Sequence, residues 1–232
     1  MGLLVGDANC KVSRVLLALD LTREVLQHAI RLKANVVVVH HPIIFQPIKT
    51  LKTTDLLFDV VQEGLNVVAM HTNLDCAPKG VSFCLAEALE LQQIEVLPDS
   101  ENFGRVGVLK SKLTQAQFLD HVSKKLKTVV KATNVEGLVQ KVAVVSGAGG
   151  FALEAAMSSG VDVLVTGECK HSDFVKAFNC GFGLVAAGHF ETEIVFCRPL
   201  KEQLERRFGS VSFFCETGEG PASCFHNGLK LI

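Results

Sequence analysis

The sequence predicts an α/β fold: two α/β lobes with mostly parallel or mixed sheets, flanking helices, and a candidate site at strand carboxyl ends. Three observations carry this. Strand and helix signals alternate from end to end. The strand-like runs are near-continuous in β-branched and aliphatic residues, above all Val36-Val37-Val38-Val39, as in strands covered on both faces. Several of these runs end in polar residues able to ligate metal, at the edge where parallel sheets keep their sites.

The elements follow in order. Val15 to Leu19 reads as a strand. Asp20 or Thr22 then caps a helix whose Leu21, Val25, Ala29 and Leu32 share one face. Val36 to Val39 is the next strand. Asp55 to Glu63 is helical and stops at Gly64, a residue suited to a left-handed stop. Asn66 to Met70 is a strand, and Val81 to Leu91 a helix. The composition shifts at Leu97-Pro98-Asp99-Ser100-Glu101-Asn102, which sets lobes at about 1–98 and 99–232 of one family unit. Arg105 to Leu109 opens the second set. A helix from Thr114 follows, with Gln117 completing a capping box. Strands at Lys141–Val145, Val161–Val165 and Leu184–Ala187 alternate with helices at Ala152–Met157 and Asp173–Phe178. A longer helix from about Glu191 to Phe208 should kink at Pro199. Val211 to Phe214 is a closing strand.

The 232 residues suffice for one large domain or two small lobes with a proper core. With 48% hydrophobic and 20% charged residues the chain is globular rather than disordered. A net charge of −1 supplies no bulk attraction to nucleic acid or an anionic membrane, so neither is an expected partner. The absence of Tyr removes tyrosine as acid, base or nucleophile. The eight Cys form no C-x-x-C pair, follow no secretory signal and lie mostly in apolar or helical stretches. They read as free thiols in a reducing compartment, and the expected location is the cytoplasm. No apolar run approaches the ~20 residues that span a bilayer.

Three strand ends hold the candidate chemistry: His40-His41, then His71-Thr72-Asn73-Leu74-Asp75, then His189-Phe190-Glu191-Thr192-Glu193. His189 and Glu193 are spaced to project from one side of a first helical turn. Imidazole and carboxylate donors together suit Zn, Fe, Mn or Ni more than Mg or Ca. Three imidazoles and two carboxylates are too few to close two shells, which leaves room for a bridging water or hydroxide. Each piece also has a plainer reading: a strand-end His is commonly hydrogen bonded, and Asp75 can cap the next helix or shape the loop to Gly80. Ser146-Gly147-Ala148-Gly149-Gly150 can hold an anion on its amides, but it lacks the full dinucleotide spacing and a P-loop lysine. A tight strand-to-helix turn is the favoured reading. Glu168 and His171, after the strand ending at Val165, are candidates to support the ligands or to act as acid–base groups, or belong to a polar loop.

Together these segments resemble the NGG-one-interacting-factor-three-like family, some of whose members carry the name type-two GTP cyclohydrolase I. The match runs through Gly2-Leu3-Leu4-Val5-Gly6, His40-His41-Pro42-Ile43-Ile44-Phe45, His71-Thr72-Asn73-Leu74-Asp75, Ser146-Gly147-Ala148-Gly149, Thr166-Gly167-Glu168 and Gly188-His189-Phe190-Glu191-Thr192-Glu193, so it covers essentially the whole chain. The resemblance implies two divalent metal ions between two α/β lobes, bound by His40, His41, Asp75, His189 and Glu193, with Asp75 and Glu193 as bridges. His71 is not a ligand in that pattern and is kept as a neighbour of the ligands. The resemblance also implies a homo-oligomer, a toroidal hexamer, and lacks the extra mid-chain domain that some members carry. Two functions follow. One is a metal-dependent hydrolase using a metal-bound hydroxide on a small nucleotide-type substrate, as in a GTP cyclohydrolase. The other is a non-enzymatic metal-binding scaffold or regulatory interaction protein.

Overall fold

The computed structural model describes residues 1–133, 137–216, 218, 224–226 and 229–231. The chain begins with β1 (Gly2–Val5), β2 (Arg14–Ala18), α1 (Arg23–Leu32), β3 (Val36–Val39), α2 (Leu56–Gln62), β4 (Asn66–Ala69) and the single turn α3 (Thr72–Asp75). It continues with α4 (Val81–Ala88), β5 (Gln92–Val96), β6 (Arg105–Thr114), α5 (Gln115–Leu126), β7 (Lys131–Ala132) and β8 (Leu138–Val145). A 3-10 turn at Gly149–Ala152 leads into α6 (Leu153–Ser158), β9 (Val163–Thr166), α7 (His171–Asn179), β10 (Gly183–Ala186) and α8 (His189–Glu193). After a second 3-10 turn at Ile194–Phe196 come α9 (Cys197–Arg207), β11 (Ser212–Cys215), β12 (Cys224–His226) and β13 (Leu229–Leu231).

The chain divides into two compact units. One comprises Met1–Leu74 and Cys197–Gly218, the other Asp75–Phe196 and Glu219–Ile232. Residues 97–102, where the sequence changes composition, form the turn between the antiparallel strands β5 and β6. Asp99, Glu101 and Asn102 all have positive φ there. Short polar side chains serve a tight turn as readily as a linker.

The first unit is a five-stranded sheet in the order β1-β4-β3-β2-β11. All pairs are parallel except β1 with β4. Leu16, Ala18, Val37, Val39, Val67 and Ala69 share one face, and Val25, Leu26 and Ala29 of α1 and Val60 of α2 pack onto it. Thr22 caps α1 by accepting the amide of Val25 at 3.2 Å. Gly64, at φ +62°, follows α2.

The second unit contains a six-stranded mixed sheet, β5-β6-β8-β9-β10-β7, in which β8, β9 and β10 are parallel. Alternation along its central strands sends Val142, Val144, Val163, Val165 and Val185 to one face, against α4 and α5. Ala143, Val145, Leu164 and Leu184 go to the other, against α6 and α7. The capping box of α5 is present, with Thr114 and Gln117 each bonding the other's backbone.

The long final helix does not form as one kinked rod. A 3-10 turn at Ile194–Phe196 interrupts it, and Pro199 sits in the first turn of α9. An amide there has no intrahelical partner, so proline is accommodated without a kink.

Candidate metal centre

In the first unit three parallel neighbours deliver polar residues to one sheet edge. Ala18, Val39 and Ala69 are in register across β2, β3 and β4. Two residues further on stand Asp20, His41 and His71. The arrangement is what a parallel sheet with short exits provides at its carboxyl edge.

His40 is completely buried. Its Nδ1 donates to the Met70 carbonyl oxygen at 2.8 Å. A carbonyl only accepts, so the proton lies on Nδ1 and, in the neutral ring, the lone pair on Nε2. His41, half-buried, places Nδ1 2.8 Å from Asp20 Oδ1. The ring of His71 lies edge-on to both, with centroids 5.1 Å from His40 and 5.6 Å from His41. One ring nitrogen from each of the three falls within 4.8 Å of the others, so this group can hold a metal ion. Phe45, largely exposed, sets its ring edge-on to His71 at 6.3 Å.

The second unit repeats the device. Val145, Thr166 and Ala186 are in register on β8, β9 and β10, and the exits carry Gly147, Glu168 and His189. His189 Nε2 lies 3.1 Å from Glu193 Oε2, one helical turn along α8. Its Nδ1 lies 3.4 Å from Glu168 Oε2. The hydrogen bond that His189 donates to the Glu193 carboxylate raises the His189 pKa, burial opposes that, and Glu168 adds to the rise. Glu193 itself is buried.

The glycine-rich segment is a turn whose amides face protein acceptors. The Gly147 amide donates to Thr192 Oγ1 at 3.1 Å, and the Gly149 amide to Thr166 Oγ1 at 2.9 Å. Thr192 Oγ1 in turn donates to the Gly188 carbonyl at 2.8 Å. Gly147 has φ +61°, and a Cβ there would run into Glu193 Oε1.

Asp75 is buried at the end of α3. Arg105 anchors the segment after it: the buried guanidinium donates to the carbonyls of Ala77 at 2.6 Å, Asn102 at 2.7 Å and Gly104 at 2.8 Å. His171 begins α7 as an exposed residue.

The structure thus gathers His40, His41 and His71 in one unit, and His189, Glu193 and Glu168 in the other. Asp20, Thr192 and Arg105 were not singled out for the site by sequence. For Asp20 a signal existed: it follows its strand by the same two residues as His41. It reads equally as a helix cap, a role taken by Thr22. For Thr192 and Arg105 no local signal exists, because their partners lie far away in sequence.

These features define an α/β protein whose two larger sheets present histidine and carboxylate donors at the carboxyl edges of parallel strands. The chain belongs to the Duf34/NIF3 (NGG1p interacting factor 3) family, whose model matches residues 1–219. It is similar to a protein of Nostoc sp. named GTP cyclohydrolase 1 type 2 homolog, with 29% identity over 83% of this chain and 77% of the relative. A Clostridium perfringens protein of the same name is 28% identical over 90% of this chain and 84% of its own. Among solved structures, Staphylococcus aureus hypothetical protein SA1388 superposes with a TM-score of 0.90 at 26% identity, covering 97% of this chain and 91% of that one. Reduced HcgD from Methanocaldococcus jannaschii gives 0.77 at 25% identity, over 94% and 88% of the two chains. No helix among the described residues is long and apolar enough to cross a membrane.

Proposed function

We propose that the protein binds two divalent metal ions through His40, His41, Asp75, His189 and Glu193, and that it is a metal-dependent hydrolase of a small nucleotide-type substrate. The observation that carries this reading is the engagement of Nδ1 on His40 and His41 by oxygen acceptors. Metal-ligating histidines commonly bond the second ring nitrogen in this way, because it fixes the tautomer and aims Nε2. The residues fit the ions: imidazole and carboxylate donors accept Zn, Fe, Mn or Ni. When bound, such ions would acidify a water and polarise the oxygen of the group under attack.

The chain's own residues have definite parts. The Met70 carbonyl orients His40, and Glu168 orients His189. Thr192 and the Gly147 turn fix the first turn of α8, and with it Glu193. The substrate class is drawn from the name that the relatives carry, and GTP is therefore the first compound to test. We place the protein in the cytoplasm as a homo-oligomer, a toroidal hexamer.

The test is elemental analysis of the purified protein together with turnover of GTP and generic phosphoesters. Two ions per chain and loss of both metal and turnover in Asp75→Ala are expected. One ion or none per chain would overturn the dinuclear reading. A robust activity that survives loss of metal would overturn the hydrolase. The family description names an interacting factor, so a metal-loaded protein that turns over nothing would favour a metal-binding scaffold.

A further inference from the structure

We propose that Asp20 is a positioning residue for the metal centre: it holds His41 in the Nδ1–H tautomer and so presents Nε2 as the donor. This rests on His41 being a ligand, as proposed above.

Asp20 sits two residues beyond β2, and His41 two residues beyond β3. These strands are parallel neighbours in register at Ala18 and Val39. The sheet therefore sets the two side chains next to one another before any specific bond forms. The His41 amide adds a second constraint by donating to the Leu19 carbonyl at 3.0 Å, immediately before Asp20. The 2.8 Å contact from Nδ1 to Oδ1 then completes a closed arrangement of backbone and side chain. A carboxylate accepts, so the bridging proton belongs to the imidazole Nδ1, and in the neutral ring the lone pair is on Nε2.

Helix capping does not explain Asp20. Thr22 supplies the side-chain cap of α1, and the carboxylate is turned toward the imidazole. The companion pair, Glu168 with His189, differs in kind. Its separation is 3.4 Å and Glu168 is mostly exposed, whereas Asp20 and His41 are both about two-thirds buried. The Asp20–His41 contact is thus tighter than the Glu168–His189 contact, and losing it should matter more.

The experiment uses the full-length protein and zinc as the probe. Nitrogen-15 spectra of the metal-free protein report the His41 tautomer. Competition with a chelator reports zinc affinity. Wild type should show the Nδ1–H form. Asp20→Ala should lose that preference and bind zinc about 10- to 100-fold more weakly, the range found when outer partners of metal ligands are removed. Asp20→Asn, which keeps an acceptor oxygen, should fall between, and Asp20→Glu should recover much of the loss. The thermal midpoint of the metal-free protein should barely move in Asp20→Asn. An Nε2–H tautomer in wild type would overturn the inference. So would unchanged zinc affinity in Asp20→Ala, or equal losses in all three variants. A wild-type protein that binds no zinc or other divalent ion would instead overturn the metal reading on which the inference rests.

Discussion

Gly147 and Glu193 occupy adjoining space so closely that the glycine has no room for a side chain: a Cβ would overlap Glu193 Oε1 and stand 3.2 Å from His189 Nε2. The backbone at Gly147 is also left-handed, at φ +61°. Gly147→Ala therefore faces two penalties, about 1–3 kcal/mol for the backbone conformation and a further displacement of the carboxylate. The expected result is a lowered unfolding midpoint and reduced metal content. A variant with the metal content and stability of wild type would show that the turn does not constrain Glu193.

Thr192 joins that turn to α8. Its hydroxyl accepts from the Gly147 amide and donates to the Gly188 carbonyl, and the residue is fully buried. Thr192→Val keeps the shape and leaves the amide unmatched, which costs about 1–3 kcal/mol. Denaturant unfolding should show that loss at unchanged m-value, whereas Thr192→Ser should retain most of the stability.

Arg105 is buried, and three carbonyl oxygens accept from its guanidinium. Burial lowers its pKa, with a smaller opposing effect from Cys76. Arg105→Leu would strand those carbonyls and free the segment after Asp75. We expect a loss of about 1–3 kcal/mol, and faster amide exchange at residues 76–80 than in wild type. Unchanged exchange there would remove Arg105 from the support of Asp75.

Cys84 tests the reading of the cysteines as free thiols within apolar or helical stretches. Burial in α4 pushes its thiol up to about 11, with Glu87 adding and its own backbone hydrogen bond opposing. The folded state thus holds this proton more tightly than the unfolded chain. The unfolded chain loses it first, so this contribution to stability declines as pH rises from the ordinary thiol value toward about 11, and is constant below that window. At pH 8, iodoacetamide followed by mass spectrometry should label the exposed Cys180 and spare Cys84. Equal labelling would contradict the packing of α4.

Strands covered on both faces were legible in the sequence because burial writes itself as unbroken aliphatic runs; Val36–Val39 is the clearest case. Edge strands were not. β5 is largely exposed and reads Gln92-Gln93-Ile94-Glu95-Val96, and β7 is two residues long. Such strands exist only through the neighbour that supplies their hydrogen bonds.

The amino-acid sequence alone determined the alternating α/β elements, the capping box at Thr114 and Gln117, and the kinds of donor atom at the strand ends. Those depend on local patterns of burial, spacing and side-chain chemistry. Tertiary structure decided how the strands are ordered and which exits share an edge. From that order came the Asp20–His41 pair, the triangle of His40, His41 and His71, and the contact of Gly147 with Glu193. Asp20 with His41, His71 with the two earlier histidines, and Gly147 with Glu193 are each separated by about twenty positions or more, and the order and register of the parallel strands bring them together.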